Sequence, residues 1–228
     1  MSARVLILPL LTPEGMRRIE GAGGLVQGAG TDSGPRVQGA GMDSGSRVQG
    51  AGTGSGQRPT FAFSRSELES IAMGMRIGGF EVRLLPPEPL PAEAFHPGRR
   101  QWQSTPILRF ARERLKAQRD LRARLLVVTD ADIYEPGLSF TGGMAELGGT
   151  LALVSVARLQ SGDRPKLVER AVKEGLHEIG HTLGLEHCRD PRCVMFLSRS
   201  IADSDIKRAA FCPKCRSVLG RALGQNKR

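Results

Sequence analysis

Hydrophobic runs along the chain predict four β-strands. Residues Val5 to Leu10 form an apolar first strand, and residues Phe80 to Leu84 alternate between apolar and polar side chains, as half-buried strands do. The continuous apolar run from Leu125 to Thr129 is typical of a central strand that is buried on both faces. The run from Leu151 to Val156 is the next strand.

Helical patterns lie between these runs and are expected over residues 66–77, 106–121 and about 165–183. In the first, Ser66 and Glu69 have the spacing of a capping box, in which each side chain accepts a hydrogen bond from the other residue's backbone amide. The third has Pro165 near its start and Gly184 just past its end, which is the usual distribution of proline and glycine around a helix.

The order of these elements (β, α, β, α, β, β, α) predicts an α+β fold, with a mixed, twisted β-sheet and helices packed on one side of it. A chain of 228 residues can bury a sizeable core, and we expect residues 1–228 to form a single domain. Residues 137–149 form a glycine-rich loop that is expected to shape a cleft.

An internal repeat with a period of 11 occupies residues 26–58. Each unit is rich in Gly and Ser and carries one Val as its regular hydrophobic residue, so it cannot bury enough apolar area to offset the entropy of ordering its backbone. We predict a flexible, low-complexity insertion rather than a solenoid. A partner-binding linker is the alternative.

The remaining composition favours a cytoplasmic protein. No apolar run is long enough to span a bilayer. The apolar stretch near the start is short, contains Pro9 and lacks a clear small-residue cleavage site, so a first strand explains it better than a signal peptide does. In the cytoplasm the cysteine thiols would be reduced.

The most informative segment, residues 177–187, reads HEIGHTLGLEH. His177 and His181 are four residues apart, so on a helix they project from one face and can reach one metal ion. Gly184 can end the helix and let His187 return as a third ligand. Three histidine ligands leave the fourth zinc position open for water, as catalytic sites do, and Glu178 is placed to take the proton of that zinc-bound water.

Scattered surface histidines are the alternative explanation of this segment. It would require three of the four histidines in the chain to be grouped there by accident. The fourth, His96, lies in a stretch rich in Pro and Gly and is expected at the surface.

All four cysteines follow the third histidine: Cys188, Cys193, Cys212 and Cys215. The last two form a C-x-x-C pair, whose spacing suits two ligands of one tetrahedral zinc, and the first two would complete a structural site. Two disulfides or free thiols are the alternatives, and an intracellular setting disfavours disulfides. A redox role is weaker, because the pair does not open a helix after a strand. We expect two zinc ions per chain.

The basic charge is concentrated near the end of the sequence. The chain has a net charge of +10, and residues 189–228 alone carry +7. Lys and Arg there would balance the formal charge of −2 on a zinc ion with four thiolates. A nucleic-acid site is the alternative, but no aromatic side chains are interleaved for base stacking. A basic solvated surface is favoured, and we expect neither a nucleic-acid nor a membrane partner.

The long histidine motif is that of the metzincins, and Met195 follows at a suitable distance for their methionine turn. With Cys-x4-Cys-x-Met and C-x-x-C downstream, the chain resembles the archaemetzincins, zinc metallopeptidases that have a four-cysteine site beside the catalytic one. The resemblance covers about residues 1–20 and 60–220, including 126–134 and an edge strand at 155–159, with looser matches at 91–95 and 100–102.

This resemblance implies a compact metzincin-like domain with a C-terminal zinc-stabilised subdomain over residues 188–220. It implies His177, His181 and His187 as catalytic zinc ligands, Glu178 as general base and the four cysteines as structural ligands. It also suggests aminopeptidase-like action on small peptides. The tyrosine that some metzincins carry after the methionine turn is missing, because the only tyrosine is Tyr134, far upstream.

The leading hypothesis is a zinc-dependent peptidase. An extended peptide substrate would add to the strand around Ser155 as a further strand. A zinc-stabilised binding protein, whose basic tail contacts an acidic partner, is the second hypothesis. The motif specifies activation of water at zinc and leaves hydrolysis of a non-peptide amide or ester as a third.

Overall fold

The computed structural model describes residues 3–21, 63–120, 122–159 and 162–224. The strands are β1 (Arg4–Leu11), β2 (Glu81–Leu84), β3 (Glu88–Pro89), β4 (Phe95–His96), β5 (Gln101–Gln103), β6 (Arg124–Thr129), β7 (Ile133–Tyr134), β8 (Gly143–Ala145) and β9 (Leu151–Ser155). The helices are α1 (Pro13–Gly21), α2 (Arg65–Ile77), α3 (Ser104–Ala117), α4 (Arg164–Thr182), α5 (Ile201–Ile206) and α6 (Pro213–Ala222). A short 3₁₀ helix covers Ala92–Ala94.

The main sheet has the strand order β2-β1-β6-β9-β8, and β3 pairs with the end of β1. Its pairs are parallel except for β8, which runs antiparallel to β9. Strand β6 lies between β1 and β9, so the prediction of a central strand from its continuous apolar run is confirmed. The mixed α+β architecture is also confirmed.

Helices cover both faces of this sheet, and the expectation of helices on one side is wrong. On one face, Ile7 of β1 lies in a core with Ile71 of α2 and Leu176 of α4. On the other face, Leu8 lies in a separate core with Ile107 of α3. Successive side chains of a strand point to opposite faces, so an apolar run without polar positions needs cover on both.

The capping box of α2 lies two residues before the predicted one. Ser64 is the N-cap: its Oγ accepts from the amide of Glu67 at 3.3 Å, and its own amide donates to Glu67 Oε2 at 2.7 Å. Ser66 and Glu69 have the same spacing but do not cap. Glu67 also forms an ion pair with Arg164 of α4, and this tertiary contact favours the earlier position.

The other predicted helices are found with shifted ends. Helix α3 begins at Ser104 and stops at Ala117, about four residues before the expected end. Arg119 then has a φ of 54°, a left-handed conformation that cannot continue a helix. Helix α4 agrees with the prediction to within one residue at each end.

A second, three-stranded sheet of order β4-β5-β7 was not predicted. It follows the proline-rich stretch of residues 86–91. Trp102 pairs with Phe95 on one side and with Ile133 on the other, and the Trp102 and Phe95 rings lie 5.2 Å apart. Strands of two or three residues are too short for an alternating pattern to identify them.

The edge of the main sheet beside α4 is formed by β8, not by the strand that ends at Ser155. Strand β9 is interior, because β6 pairs with it on one side and β8 on the other. The prediction of an edge strand at residues 155–159 is therefore wrong. Strand β8 comes from the glycine-rich loop, so the predicted loop contributes the edge itself.

The 11-residue repeat at residues 26–58 lies outside the described residues, and its flexibility stays a prediction. Within the described ranges, no helix is both long enough and apolar enough to cross a membrane.

Candidate metal centre

Helix α4 is the platform of the site, and both of its ends are fixed by local interactions. Asp163 caps the start, accepting from the amide of Lys166. At the other end the amide of Gly184 donates to the carbonyl of His181 at 2.9 Å, and the amide of Leu185 donates to that of Gly180 at 3.0 Å. This double hydrogen bond reverses the chain, and it needs Gly184 because its φ is +82°.

The reversal brings the three motif histidines together. Their ring centroids are 4.7 Å apart for His177 and His181, 5.3 Å for His177 and His187, and 4.9 Å for His181 and His187. One nitrogen from each ring lies within 4.8 Å of the others. The predicted grouping of His177, His181 and His187 is therefore present in the structure.

The hydrogen bonds of these rings leave the facing nitrogens free to bind a cation. His177 Nδ1 donates to the carbonyl of Val194 at 2.8 Å, and His181 Nδ1 donates to the carbonyl of Leu185 at 2.7 Å. With Nδ1 protonated, each neutral ring has its lone pair on Nε2, and these two atoms are 3.1 Å apart. A tetrahedral zinc with Zn–N bonds of about 2.0–2.1 Å separates two nitrogens by roughly 3.3 Å, so the cluster fits zinc.

Burial keeps the two helical histidines neutral. Burial, together with the nearby Lys207 ammonium, lowers the pKa of His177 to about 4. Burial also lowers the pKa of His181, with a contribution from His187. Neutral imidazoles are the form that binds a metal, so both are ready to do so near neutral pH.

Glu178 lies in the same cleft as two of the histidines. A cavity of about 640 Å³ is lined by Glu178, His181 and His187, together with residues of β8. Burial and, to a smaller extent, the negative charge of Glu174 raise the pKa of this carboxyl to about 8. A divalent cation in the cluster would favour the carboxylate, because opposite charges nearby lower the pKa of an acid.

Met195 forms the floor of the site. It is fully buried, and an ideal Cβ built on Gly180 would lie 2.4 Å from its sulfur. The methionine therefore packs directly against the helix between the two histidine positions. This agrees with the apolar floor expected from the sequence, and it explains why residue 180 has no side chain.

The four cysteines form a second cluster. Their sulfur atoms all lie within 4.8 Å of one another, and the Sγ atoms of Cys188 and Cys212 are 3.8 Å apart. That distance is far longer than a disulfide bond of about 2.05 Å, and all four thiols are free. Zn–S bonds of about 2.3 Å in a tetrahedron place two sulfurs about 3.8 Å apart, so this cluster also fits zinc.

Comparisons with known proteins identify the family of this chain. The family model described as Peptidase family M54 matches residues 116–221. An archaemetzincin of Archaeoglobus fulgidus is 43% identical over 144 residues, covering 63% of this chain and 84% of the relative. The chain belongs to the archaemetzincin family.

Other archaemetzincins give a consistent picture. The Pyrococcus furiosus protein is 45% identical over 115 residues, which cover 47% of this chain and 60% of that relative. The crystal structure of the Archaeoglobus fulgidus archaemetzincin complexed with malonate has a TM-score of 0.63 at 30% identity, covering 94% of this chain and 99% of that one. The Methanopyrus kandleri structure has a TM-score of 0.60 at 27% identity, covering 98% and 96%.

Membership of the archaemetzincins makes the chain a zinc metallopeptidase, a hydrolase that acts on peptides. The peptidase hypothesis is thereby confirmed in its general form. A zinc-stabilised binding protein is no longer needed to explain the histidine motif.

The structure also brings to this archaemetzincin site residues that the sequence did not single out. Glu174 lies one turn before Glu178 on α4, and its Oε1 accepts from Lys207 Nζ at 2.9 Å and from Ser204 Oγ at 3.0 Å. Lys207 belongs to the basic tail that was expected to be solvated, yet its side chain is fully buried. In the sequence, only the position of Glu174 one helical turn before Glu178 could have indicated that it faces the site. Its partner Lys207 is 33 residues away, so the ion pair itself could not be predicted.

The other basic side chains of the tail that the structure describes are exposed, as the sequence predicts: Arg189, Arg192, Arg199, Arg208, Lys214, Arg216 and Arg221. His96 is likewise exposed, as expected, with its ring edge-on to that of Tyr134. Tyr134 is distant in sequence from the motif and is absent from the residues that line the cleft.

Proposed function

We propose that this chain hydrolyses peptide bonds at a catalytic zinc held by His177, His181 and His187. The observation that carries the proposal is the distance of 3.1 Å between the Nε2 atoms of His177 and His181, beside a cleft that is lined by His181, His187 and Glu178. When bound, zinc lowers the pKa of water and polarises a carbonyl group.

The general base in this proposal is Glu178. Its carboxylate would take the proton of the attacking water and later pass it to the leaving amine. Support comes from its 7% exposure inside the cleft and from its position beside two of the histidines on one helix. The proposal of a metzincin mechanism rests on this position of Glu178 beside the histidines.

The peptide substrate would bind along β8 rather than along the strand that ends at Ser155. Among the described residues β8 pairs with β9 alone, so its other edge offers backbone groups to an added strand, and there the Gly143 carbonyl also accepts from Thr141 Oγ1. Gly143, Met144 and Ala145 of this strand line the cleft with Glu178. A bound peptide would therefore lie across the histidine cluster.

Aminopeptidase-like action on small peptides is the finer part of the proposal. Glu186 lines the cleft next to His187, and its exposed carboxylate can attract a free α-amino group. The test is to compare peptides with free and acetylated amino termini. We expect the free amine to be cleaved at least about tenfold faster, and equal rates for both would contradict an aminopeptidase preference.

We propose a second, structural zinc bound by Cys188, Cys193, Cys212 and Cys215. Burial raises the pKa of the Cys193 and Cys215 thiols, so without a metal these groups would stay protonated and make weak hydrogen bonds in the protein interior. A zinc ion would take the deprotonated thiolates and link residues 188–193 to α6.

Elemental analysis tests both sites together. Purified wild-type protein should contain two zinc ions per chain, and a His177→Ala/His181→Ala variant should keep one. A wild type that contains a single zinc, which the variant retains, and that takes up no second ion when zinc is added would overturn the catalytic assignment. The same preparations should then be assayed on a peptide library, because peptide turnover is the direct test of function.

A further inference from the structure

Strand β8 ends in a tight turn beside the cleft. The amide of Glu146 donates to the carbonyl of Leu151 at 3.0 Å, and the amide of Gly149 donates to the carbonyl of Glu146 at 2.9 Å. This stretch is therefore a β-turn, and the φ of +69° at Gly148 is the left-handed conformation that favours glycine at the third position of a turn. The extended edge of the sheet stops after Ala145.

Contacts with two helices hold this turn in place. The amide of Gly148 donates to the carbonyl of His181 at 2.9 Å, which attaches the turn to the end of α4. Glu146 forms an ion pair with Arg112 of α3, and its Oε2 accepts from the amide of Thr150 at 3.3 Å. A ligand that displaced the turn would break these contacts, so the turn is a fixed boundary of the cleft.

Leu147 occupies the second position of the turn and lines the cleft together with Ala145, His181 and Glu186. Its side chain is 62% exposed, so it stands free at the end of the edge strand. A peptide backbone that continued past Ala145 would lie against this apolar side chain. Its N–H and C=O groups would lose water there without gaining hydrogen-bond partners, which is unfavourable.

The pairing of β8 with β9 determines which backbone groups face a substrate. The amide of Ser155 donates to the carbonyl of Gly142 at 2.8 Å, and the amide of Glu146 also donates to β9. In an antiparallel ladder, alternate residues direct their N–H and C=O groups to opposite sides. Gly143 and Ala145 therefore direct theirs to the outer edge.

Of these two residues, Ala145 is the better partner for an added strand. The carbonyl of Gly143 accepts from Thr141 Oγ1 at 2.8 Å, so one of its groups is already engaged. An ideal Cβ on Gly143 would lie 2.6 Å from Glu178 Oε1, which places this end of the strand next to the proposed general base. A substrate residue paired with Ala145 would thus lie between Glu178 and the turn.

The two ends of the cleft differ in the space that they leave. At Gly143 the cleft adjoins a cavity of about 680 Å³, whose lining includes Phe140 and Arg158. At Leu147 it ends against the turn. The exposed carboxylate of Glu186 lines the cleft and not the cavity, which favours a substrate whose amino terminus lies at the closed end.

We infer that the turn at residues 146–149 limits a substrate to one residue on the amino-terminal side of the cleaved bond, and that Leu147 is the specificity-determining residue of this boundary. One residue can pair with Ala145, whereas a second would meet the Leu147 side chain. The inference rests on the proposed function, since it assumes that a peptide binds along β8 at the histidine cluster. It adds a limit of shape to the attraction by Glu186.

The first test measures binding, so that it is independent of turnover. Isothermal titration of zinc-loaded protein should compare acetohydroxamate, alanine hydroxamate and alanyl-alanine hydroxamate. In the last two compounds the zinc-binding group follows the alanine carbonyl, so their residues occupy the amino-terminal side. In the wild type we expect the compound with one residue to bind at least about tenfold more tightly than the compound with two.

Replacing Leu147 with Ala should tighten the binding of alanyl-alanine hydroxamate by at least about threefold, because it removes the obstacle. Glu146→Ala, which removes the ion pair with Arg112 and the contact with Thr150, should act in the same direction through a looser turn. A gain of affinity cannot result from a damaged fold, so both variants remain informative.

Two further variants separate shape from charge and from exposure. Glu186→Gln should weaken alanine hydroxamate and should not tighten the two-residue compound. Leu138 is the matched control for Leu147, because it is a leucine with 54% exposure that lines neither the cleft nor the cavity. Leu138→Ala should keep the wild-type order of affinities.

The products of peptide cleavage should show the same boundary. On an alanine-rich pentapeptide the wild type should release single amino-terminal residues, and Leu147→Ala should release dipeptides as well. Mass spectrometry of the early products measures both.

The outcomes separate this inference from the proposed function. If acetohydroxamate binds and the two-residue compound binds the wild type as tightly as the one-residue compound, the inference is wrong and the metal site stands. If no hydroxamate binds to zinc-loaded protein, the proposed function fails and this inference fails with it. Alanyl-alanine hydroxamate that gains no affinity in either Leu147→Ala or Glu146→Ala would also overturn the boundary.

Discussion

His177 donates a hydrogen bond from Nδ1 to the backbone carbonyl of Val194 at 2.8 Å. Val194 lies between Cys193 of the cysteine cluster and Met195 of the floor. One short segment therefore orients a histidine through its backbone while its neighbouring side chains belong to the other cluster and to the core. This segment connects the two proposed zinc sites, so we expect a change in one site to alter the zinc affinity of the other.

Replacing Cys212 with Ser should therefore weaken metal binding at both sites. Loss of a thiolate ligand would release the structural zinc, and the freed segment would no longer hold Val194 in place to orient His177. Since groups that orient a metal-bound histidine affect affinity by about 10- to 100-fold, we expect a loss of that size at the histidine site. Zinc titration in competition with a chelator measures it, with Ser217→Ala on α6 as the control. Unchanged affinity at the histidines would show the sites to be independent.

Replacing Glu178 with Gln should abolish turnover and leave metal content intact. The amide keeps the size of the carboxylate but cannot accept a proton, and general base catalysis is worth about 10²- to 10⁴-fold in rate. The measurements are kcat on a cleaved peptide and zinc per chain. Glu113→Gln, at a 60% exposed side chain on α3, should retain the wild-type rate. A fully active Glu178→Gln variant would remove this residue from the mechanism.

Replacing Gly180 with Ala should destabilise the protein. The new Cβ would lie 2.4 Å from the sulfur of Met195, so the fully buried methionine must move. Overpacking of this kind costs about 1–3 kcal/mol in the free energy of unfolding. Chemical denaturation measures the loss. In Gly162→Ala the added carbon meets no atom within 4 Å, so that variant should change stability little. Equal stability of the two variants would argue against a rigid methionine floor.

The ion pair between Arg170 and Asp205 should contribute stability that depends on pH. The Arg170 guanidinium lowers the pKa of the Asp205 carboxyl well below its ordinary value. Because the folded-state pKa is the lower one, the stabilisation is present above the unfolded-state pKa of about 3.9 and is lost as pH falls toward the folded-state value. Asp205→Asn should therefore lower the free energy of unfolding by about 2 kcal/mol at pH 7.

Below about pH 4 the difference between wild type and Asp205→Asn should shrink, because the Asp205 carboxylate of the unfolded wild type takes up a proton before that of the folded protein does. Urea denaturation at a series of pH values measures it. Glu69→Gln is the control, because Glu69 and Arg65 form an ion pair whose side chains are 59% and 80% exposed. Such surface pairs contribute little, and this variant should stay close to wild type throughout. A constant difference for Asp205→Asn across the series would exclude the charged pair as its cause.

The parts of the site that the sequence predicts are those set by local geometry. The grouping of His177 and His181 follows from the period of one helix, and the return of His187 follows from a glycine at the helix end. Strand β6 follows from its own apolar run. In each case the information lies within a dozen consecutive residues.

The parts that the sequence missed depend on distant contacts. Strand β8 is only three residues long, and its role as the edge is decided by pairing with β9. Ser64 with Glu67 and Ser66 with Glu69 have the same capping-box spacing at the start of α2. The contact of Glu67 with Arg164, which is 97 residues away, favours Ser64 as the cap. Helix α3 covers the second face of the sheet, but its pattern does not say which face it will meet.

The small sheet of β4, β5 and β7 gives the protein an optical reporter. Trp102 is the only tryptophan of the chain, and its backbone amide donates to the carbonyl of Asp132 at 2.9 Å. The side chain of that same residue holds Arg158. Indole emission therefore comes from one position. Asp132 connects that position to Arg158, which lies in the wall of the cavity of about 680 Å³. Intrinsic fluorescence can therefore follow events at that wall without a label.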